Sequence, residues 1–397
     1  LIAILTSTGD VPAKGRIEMI GSNRMVRVLS GSLISVAVAL SSVALSAGTV
    51  AATGAGSPGA VYVLTNTSSN NAVAVFNRAA DGTLTAAGTV GTGGSGAGGG
   101  LGSQGALAFS EDHRWLFAVN AGSNEISAFS IQPSGLTLAG KAASAGVRPV
   151  SLTVHDHRLF VLNQGDAGNP GNISGFKIGD HGELWGVNGS TKPLSSNAVG
   201  SATGAAQVSF SPNGDSLVVT EKGTSKIDVY GTNGGSVWGP NVFNSAGAVP
   251  FGFAFSQRGA LIVSEAATNS VSSYRLHDGQ LSTVTATAPT FQLAPCWVAV
   301  TDNGKYAYAA DAHNGFITGY KVANDGSLSI LNANGNTANP GGVPLDLAFS
   351  NNSQYLYALN GGSHSLNAFA VNGDGSLTTI VLTGISLPAS AVSVAAR

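Results

Sequence analysis

The chain contains one cysteine, Cys296, so no intramolecular disulfide can form and stability has to come from packing and from how the chain closes on itself. Charge is also scarce. Only 10% of the 397 residues are charged, the net charge is -2 and Lys and Arg never cluster, so neither nucleic acid nor an anionic membrane surface is an expected partner. The chain has no Gly-x-Ser-x-Gly nucleophile elbow, and the glycine run over residues 91–100 lacks the Gly-Lys-Ser/Thr ending of a phosphate loop. That run reads as a flexible crossover between structural units. What is abundant is apolar residues, at 43%, and glycine, at 55 residues. This balance is too apolar for disorder and too rich in glycine for a helical protein, which leaves a turn-dense β protein.

Near the start, Arg24 and Arg27 precede an apolar run over residues 28–47, and Val50, Ala51 and Ala52 supply small residues of the kind a signal peptidase accepts. The expectation is a start at Met25, an upstream extension before it, an export signal ending near residue 52, and one domain over 53–397. An uncleaved membrane anchor is the alternative, because the run approaches the roughly 20 residues that span a bilayer.

A short strand recurs through the rest of the chain, ending at Phe109, Val154, Phe210, Phe255, Val300, Phe349 and Val394, with spacings of 45, 56, 45, 45, 49 and 45 residues. That is the length of one four-stranded propeller blade. Each copy leads into a second strand such as Tyr355-Leu356-Tyr357-Ala358-Leu359 and a third such as Ile126-Ser127-Ala128-Phe129. A tight turn follows, as in Asp81-Gly82, Asp325-Gly326 and Asp374-Gly375. One position of the first strand is small in every copy: Ala108, Thr153, Ser209, Ala254, Ala299, Ala348 and Ser393. Seven innermost strands crowding one axis would require that. The chain begins in mid-blade at Val61 and ends with a lone first strand, so the last strand is expected to complete the first blade. The predicted fold is all-β: a seven-bladed β-propeller of four-stranded antiparallel blades, closed by the C-terminal strand.

In such a blade, loops entering the first strand and leaving the second share one end of the ring. His113, His155, His157, His181 and His277 sort to the opposite end, and only His313 and His364 to the loop-rich end. In the first strands, the third position before the apolar anchor reads Ala106, Ser151, Gln207, Gly252, Trp297, Asp346 and Ala391. Beyond the second strands the column reads Asn66, Ala121, Gln164, Glu221, Glu265, Ala312 and Gly361. Neighbouring blades four and five thus carry Glu221 and Glu265, with Gln207, Lys222, Trp297 and Asp346 near the same mouth. Two carboxylates sharing a partly dry pocket repel, which raises one pKa and can make an acid–base pair. Gln164, His313 and Arg148 join Trp297 and Asp346 as candidate ligand-binding residues. The same polar groups could instead satisfy loop backbone, with Lys222 neutralising Glu221. His155-Asp156-His157 has no third ligand in view for a metal, and Cys296 reads as a small buried hydrophobe.

The blade pattern over residues 205–230, with Phe210-Ser211-Pro212-Asn213-Gly214 leading into a strand and then Lys226-Ile227-Asp228-Val229-Tyr230, resembles the bacterial lactonase family of seven-bladed propellers. The family includes 6-phosphogluconolactonases and fungal carboxymuconate-lactonizing enzymes, and the resemblance spans nearly all of residues 60–397. YVTN-type repeat propellers share the blade pattern without catalysis. The resemblance implies lactone hydrolysis and carries Glu221 over from the family's Asn-Glu, here Thr220-Glu221. It also exposes departures: Ala205-Ala206-Gln207 stands where the family has Pro-Arg-His, and Ala312-His313 where it has an arginine.

Together with export, these departures point away from phosphorylated sugar lactones. The expectation is a secreted or cell-envelope lactonase-like hydrolase of a small lactone or related cyclic ester. Glu221 and Glu265 would act as general base and acid, and Gln207 or Lys222 would polarise the carbonyl. The alternative is a non-catalytic binding or scaffold propeller. A small-molecule lactone or carbohydrate-like ligand is the expected partner and a monomer the expected state, with no membrane contact after signal cleavage. No cofactor is called for, and a divalent metal in the central channel stays open.

Overall fold

The computed structural model describes residues 59–397 apart from 198, 200–202 and 234–235. The expected export signal and start site lie outside the described residues, as does the Gly234-Gly235 turn. Among the described residues there are no α-helices, and none is long and apolar enough to cross a membrane.

Seven antiparallel sheets follow one another along the chain, each ordered first to fourth strand from the axis outward. Blade 1 pairs Ser393–Ala396 with Gly59–Leu64, Ala72–Arg78 and Leu84–Gly91. Blades 2 to 7 begin with the inner strands Leu107–Phe109, Pro149–His155, Ala205–Phe210, Pro250–Phe255, Pro295–Val300 and Pro344–Phe349. Blade 3 carries an extra short strand, Lys192–Pro193, beside its third strand. Second strands such as Tyr355–Asn360 are buried along almost their whole length, because sheets pack on both faces. Outer strands such as Gln280–Pro289 are largely exposed.

Closure depends on a few residues at the C-terminus. Val61 to Leu64 pair with Ala396 to Ser393, and Ala60 and Arg397 exchange backbone hydrogen bonds at 3.2 and 2.9 Å. Asp346, buried in the inner strand of blade 7, accepts the Ser393 hydroxyl at 3.0 Å and the Val394 N–H at 3.1 Å. The last strand is thus fixed from both sides. Tyrosines join the neighbouring blades further out: Tyr308 donates to the Gly375 carbonyl at 2.7 Å and Tyr357 to that of Gly82 at 2.8 Å. Both glycines have positive φ, and a Cβ on Gly82 would sit 2.5 Å from the Tyr355 ring, so no other residue fits these turns.

Removing residues 390–397 takes away a buried strand and leaves the blade-1 edge unpaired. The truncated chain is expected to aggregate. A soluble truncation with a single cooperative thermal transition in calorimetry would contradict closure by this strand.

Candidate functional site

The inner strands are joined to one another by side chains that imitate a further strand. Gln207 of blade 4 donates to the Phe253 carbonyl at 2.9 Å and accepts its N–H at 2.7 Å, so one amide occupies both backbone groups of blade 5. Blade 5 has Gly252 at the equivalent position, so no side chain reaches blade 6 from that place. There Gln104 does the work: it donates to the Val298 carbonyl at 2.8 Å and accepts its N–H at 3.0 Å. Its Oε1 lies 2.0 Å from where a Cβ of Gly252 would stand, which is why that position is glycine.

Gln104 belongs to the linker between blades 1 and 2, so to reach blade 6 this linker crosses the mouth of the ring. The Gln104 N–H meets the Ala206 carbonyl of blade 4 at 3.1 Å, and the Ser103 hydroxyl meets Val150 of blade 3 at 2.8 Å. The Trp297 indole N–H of blade 6 donates to the Ser103 carbonyl at 2.9 Å. The glycine-rich stretch before it is also tied down. Asn66 accepts the Ala97 N–H at 2.9 Å and donates to Gly99, and a Cβ on Gly96 would strike the Asn66 backbone at 2.3 Å. The expected flexible crossover is a fastened cap.

Strand register corrects the second column. The last residues of the second strands, facing equivalent partners in the third, are Asn120, Asn163, Glu221, Glu265, Asp311 and Asn360, with Thr65 following the strand of blade 1. Five of the seven residues in the sequence-based column are one place too late. In register, every blade has a buried polar group here, and three successive blades have carboxylates.

Several of these groups hold the linker that leads into their own blade. Asn163 donates to the Ser144 carbonyl at 3.0 Å, and Asn360 to that of Pro340 at 3.2 Å. In blades 4 and 5 the linker offers donors instead. Glu221 accepts the Ser195 N–H at 2.9 Å and its hydroxyl at 2.5 Å, while Glu265 accepts the hydroxyl of the linker's Ser245 at 2.5 Å and that of Ser272 in its own third strand at 2.7 Å. At these four positions amide or carboxylate follows the polarity of the linker.

Both glutamates are fully buried. Beside Glu221 lies Asp228, which also accepts the Ser195 N–H, at 2.8 Å. Burial, then the charge of Glu221, lifts the Asp228 carboxyl to about 8. Burial alone lifts Asp311 to about 8 and Asp346 to about 7, and pushes Glu265 upward. Asp228, Glu265 and Asp311 each leave one carboxyl oxygen without a partner, which favours the neutral acid.

Of the other candidates, Gln164 donates to the Ala205 carbonyl at 3.2 Å, joining blades 3 and 4, and His313 stands exposed on the loop after the second strand of blade 6. Cys296 is buried, its thiol pushed up to about 12, as a small hydrophobe should be. Lys222 and Arg148 are only half-buried. The Lys222 ammonium lies 4.5 Å from the centre of the Phe251 ring and donates to the Gly102 carbonyl of the cap. Burial, reinforced by the nearby Arg148, lowers it to about 8. Arg148 keeps a buried Nε with no partner.

The structure thus brings Lys222, Gln207, Trp297 and Arg148 to the capped mouth, and places Glu221 and Glu265 each beneath the linker of its own blade and Asp346 at the closure. Gln104 and Asp228 escape sequence reasoning. The signal for Gln104 is Gly252, which leaves open the place that Gln207 fills in the preceding blade. At the hairpin end, Glu111, His155 and Asp156 form the one three-residue grouping of metal-ligand type among the described residues. Its His155 Nδ1 already lies 2.9 Å from Glu111.

The raised carboxyls set a pH dependence. Each binds its proton more tightly folded than unfolded, so its stabilisation is complete below about pH 4 and is lost as pH rises toward 7 to 8. Melting at pH 8 is expected roughly 5 °C below that at pH 5, with the slope reduced in Asp311→Asn. A calorimetric profile that rises over this interval would contradict the assignment of neutral acids.

Residues 57–184 match the family described as "Lactonase, 7-bladed beta-propeller". No curated protein matches the sequence. Solved structures share the fold at low identity. The periplasmic gluconolactonase PpgL of Pseudomonas aeruginosa is 18% identical with a TM-score of 0.65, over 85% of this chain and 98% of that one. A proposed 6-phosphogluconolactonase of Bacteroides fragilis is 19% identical with a TM-score of 0.65, over 86% and 98%. A protein from Lactobacillus plantarum is 15% identical with a TM-score of 0.70, over 85% and 99%. The chain thus matches the lactonase-family pattern over residues 57–184 and shares the seven-bladed propeller fold of these structures over the whole ring.

Proposed function

We propose that this chain is a lactonase-like hydrolase acting on a small, unphosphorylated lactone at the linker end of the ring, with Lys222 as the group that moves the proton. One observation carries the reading: a half-buried lysine lowered to about 8 stands over the Phe251 ring at the mouth, with Arg148 close enough to depress it further. An amine of that pKa exchanges its proton near neutral pH, as a general base must. Neutral Lys222 takes a proton from water as the oxygen attacks the lactone carbonyl. The Arg148 guanidinium, whose Nε has no other partner, stabilises the oxyanion. As the ring C–O bond breaks, Lys222 returns the proton to the leaving alkoxide, giving the hydroxy acid. Glu221 and Glu265 as base and acid would first need their linkers displaced, whereas Lys222 has to release only the Gly102 carbonyl of the cap.

Support for the substrate class comes from the family relationship and from the periplasmic gluconolactonase among the fold neighbours. Support for a substrate met outside the cell comes from the apolar run over 28–47 behind Arg24 and Arg27. A second reading, a non-catalytic binding propeller, is favoured by the cap over the mouth and by the full engagement of Glu221.

Turnover of a panel of phosphorylated and unphosphorylated aldonolactones separates the two. The first reading predicts hydrolysis of the unphosphorylated members that rises through about pH 8. Lys222→Met should lose about a hundredfold or more in kcat/KM, with Glu265→Gln close to wild type at equal thermal stability. Absence of turnover across the panel by folded protein selects the binding propeller, and unchanged activity in Lys222→Met removes the lysine from the mechanism.

A further inference from the structure

The hairpin end carries an asymmetry that neither ring closure nor lactone chemistry explains. In each outer strand, a residue packed inward near the hairpin is followed by one facing outward, and pairing with the third strand aligns the seven copies. The inward residues are Leu84, Leu136, Leu184, Val237, Leu281, Leu328 and Leu377. The outward ones are Thr85, Thr137, Ser282, Ser329 and Thr378 in five blades, and Trp185 and Trp238 in the adjacent blades 3 and 4. Small hydroxyl residues satisfy this position five times. The two tryptophans remain 53% and 56% exposed, although an exposed indole gains nothing from folding.

Both rings are held against backbone. Trp238 pairs across the strands with Gly231, where a Cβ would lie 2.2 Å from the indole Cε2, and Trp185 covers Gly179, where a Cβ would lie 2.5 Å from Cη2. Glycine at each place lets the indole rest on the chain and leaves its outer side to solvent. Beside Trp238, a cleft of about 760 Å³ opens between the hairpins of blades 4 and 5. Its wall brings up the neutral amides Asn233, Asn241 and Gln257 together with the carboxylates of Asp215 and Asp278, all groups that can bond hydroxyls. Among the described residues the Asn233 and Gln257 side chains have no hydrogen-bond partner, and Asn241 spends only one N–H, on Gly279 at 3.2 Å. A flat apolar ring beside neutral donors and acceptors is complementary to a pyranose, which is apolar across its C–H face and polar around its rim. An apolar partner would leave those amides unpaired, and an anionic one finds no cation in the cleft beyond His277.

We propose that the outer strands of blades 3 and 4 form a saccharide-binding surface, Trp185 and Trp238 stacking on sugar units of one neutral glycan chain and the blade 4–5 cleft taking the rim hydroxyls beside Trp238. This surface lies at the end of the ring opposite Lys222, so it anchors the protein to a glycan independently of what the mouth does.

The test uses the full chain with cellohexaose, maltohexaose, chitohexaose and their parent polysaccharides, read by tryptophan fluorescence and isothermal calorimetry. At least one glycan is expected to bind with a change in tryptophan emission. Trp185→Ala and Trp238→Ala should each weaken binding about tenfold and the double variant abolish it, with melting temperature and any lactone turnover unchanged. Binding that survives in the double variant, or no binding across the panel, overturns the proposal. So does a fall in sedimentation coefficient in the double variant, which would make the tryptophans a contact between copies of the chain. Because turnover at the mouth is measured on the same variants, failure here is distinguishable from failure of the lactonase reading.

Discussion

The ring depends on its joints. Seven sheets standing on edge around an axis bury apolar faces against one another, but each must be linked to the next by a segment that turns inward and carries its own N–H and C=O groups into the interior. An unpaired group there costs about 1–3 kcal/mol, comparable to the whole margin that a few side chains can contribute. The second strands answer this with a polar residue at their last position, and the inner strands answer it with clamps such as Gln207 on Phe253. With no disulfide to fall back on, these joints and the C-terminal strand held by Asp346 are what keep the sheet edges covered.

The same constraint decides which residues are left for chemistry. Glu221 and Glu265 look alike in sequence and are alike in structure, each receiving donors from the linker at its own blade. Asp311, the third carboxylate of the column, instead accepts Thr318 of its own third strand at 2.7 Å. Burial raises Glu265 and Asp311, which favours the neutral hydrogen-bonding acid over a charged reagent there. Lys222 differs because it follows the joint residue and so points past the joint to the capped mouth, where Phe251 and Arg148 are its neighbours.

Much of this was legible in the residues. The recurring strands, their spacing, the small inner column and the lone last strand together specify a closed seven-bladed ring, because each is a direct trace of radial packing. The site was legible only in part. Loops of different length follow the second strands, so counting from the end of an apolar run put Asn66, Ala121, Gln164, Ala312 and Gly361 in a column that hydrogen-bond register assigns to Thr65, Asn120, Asn163, Asp311 and Asn360. Asp228 was hidden because a charged residue in a third strand has no local pattern to mark it. Gln104 was hidden because its partner Val298 is 194 residues away.

The two ends of the ring consequently have different characters. At the linker end the polar residues are turned inward and spent on joints, and the free chemistry narrows to a lysine and an arginine. At the hairpin end the turns are short and self-satisfied, so side chains that project there, Trp185 and Trp238 among them, are free to meet something else. The most direct test of this division is a carbon-13 NMR titration of the Lys222 side chain in lysine-labelled protein. A midpoint near 8 is predicted, moving upward in Arg148→Met as the neighbouring cation is removed. A midpoint at the ordinary lysine value of about 10.4, unchanged in that variant, would contradict it.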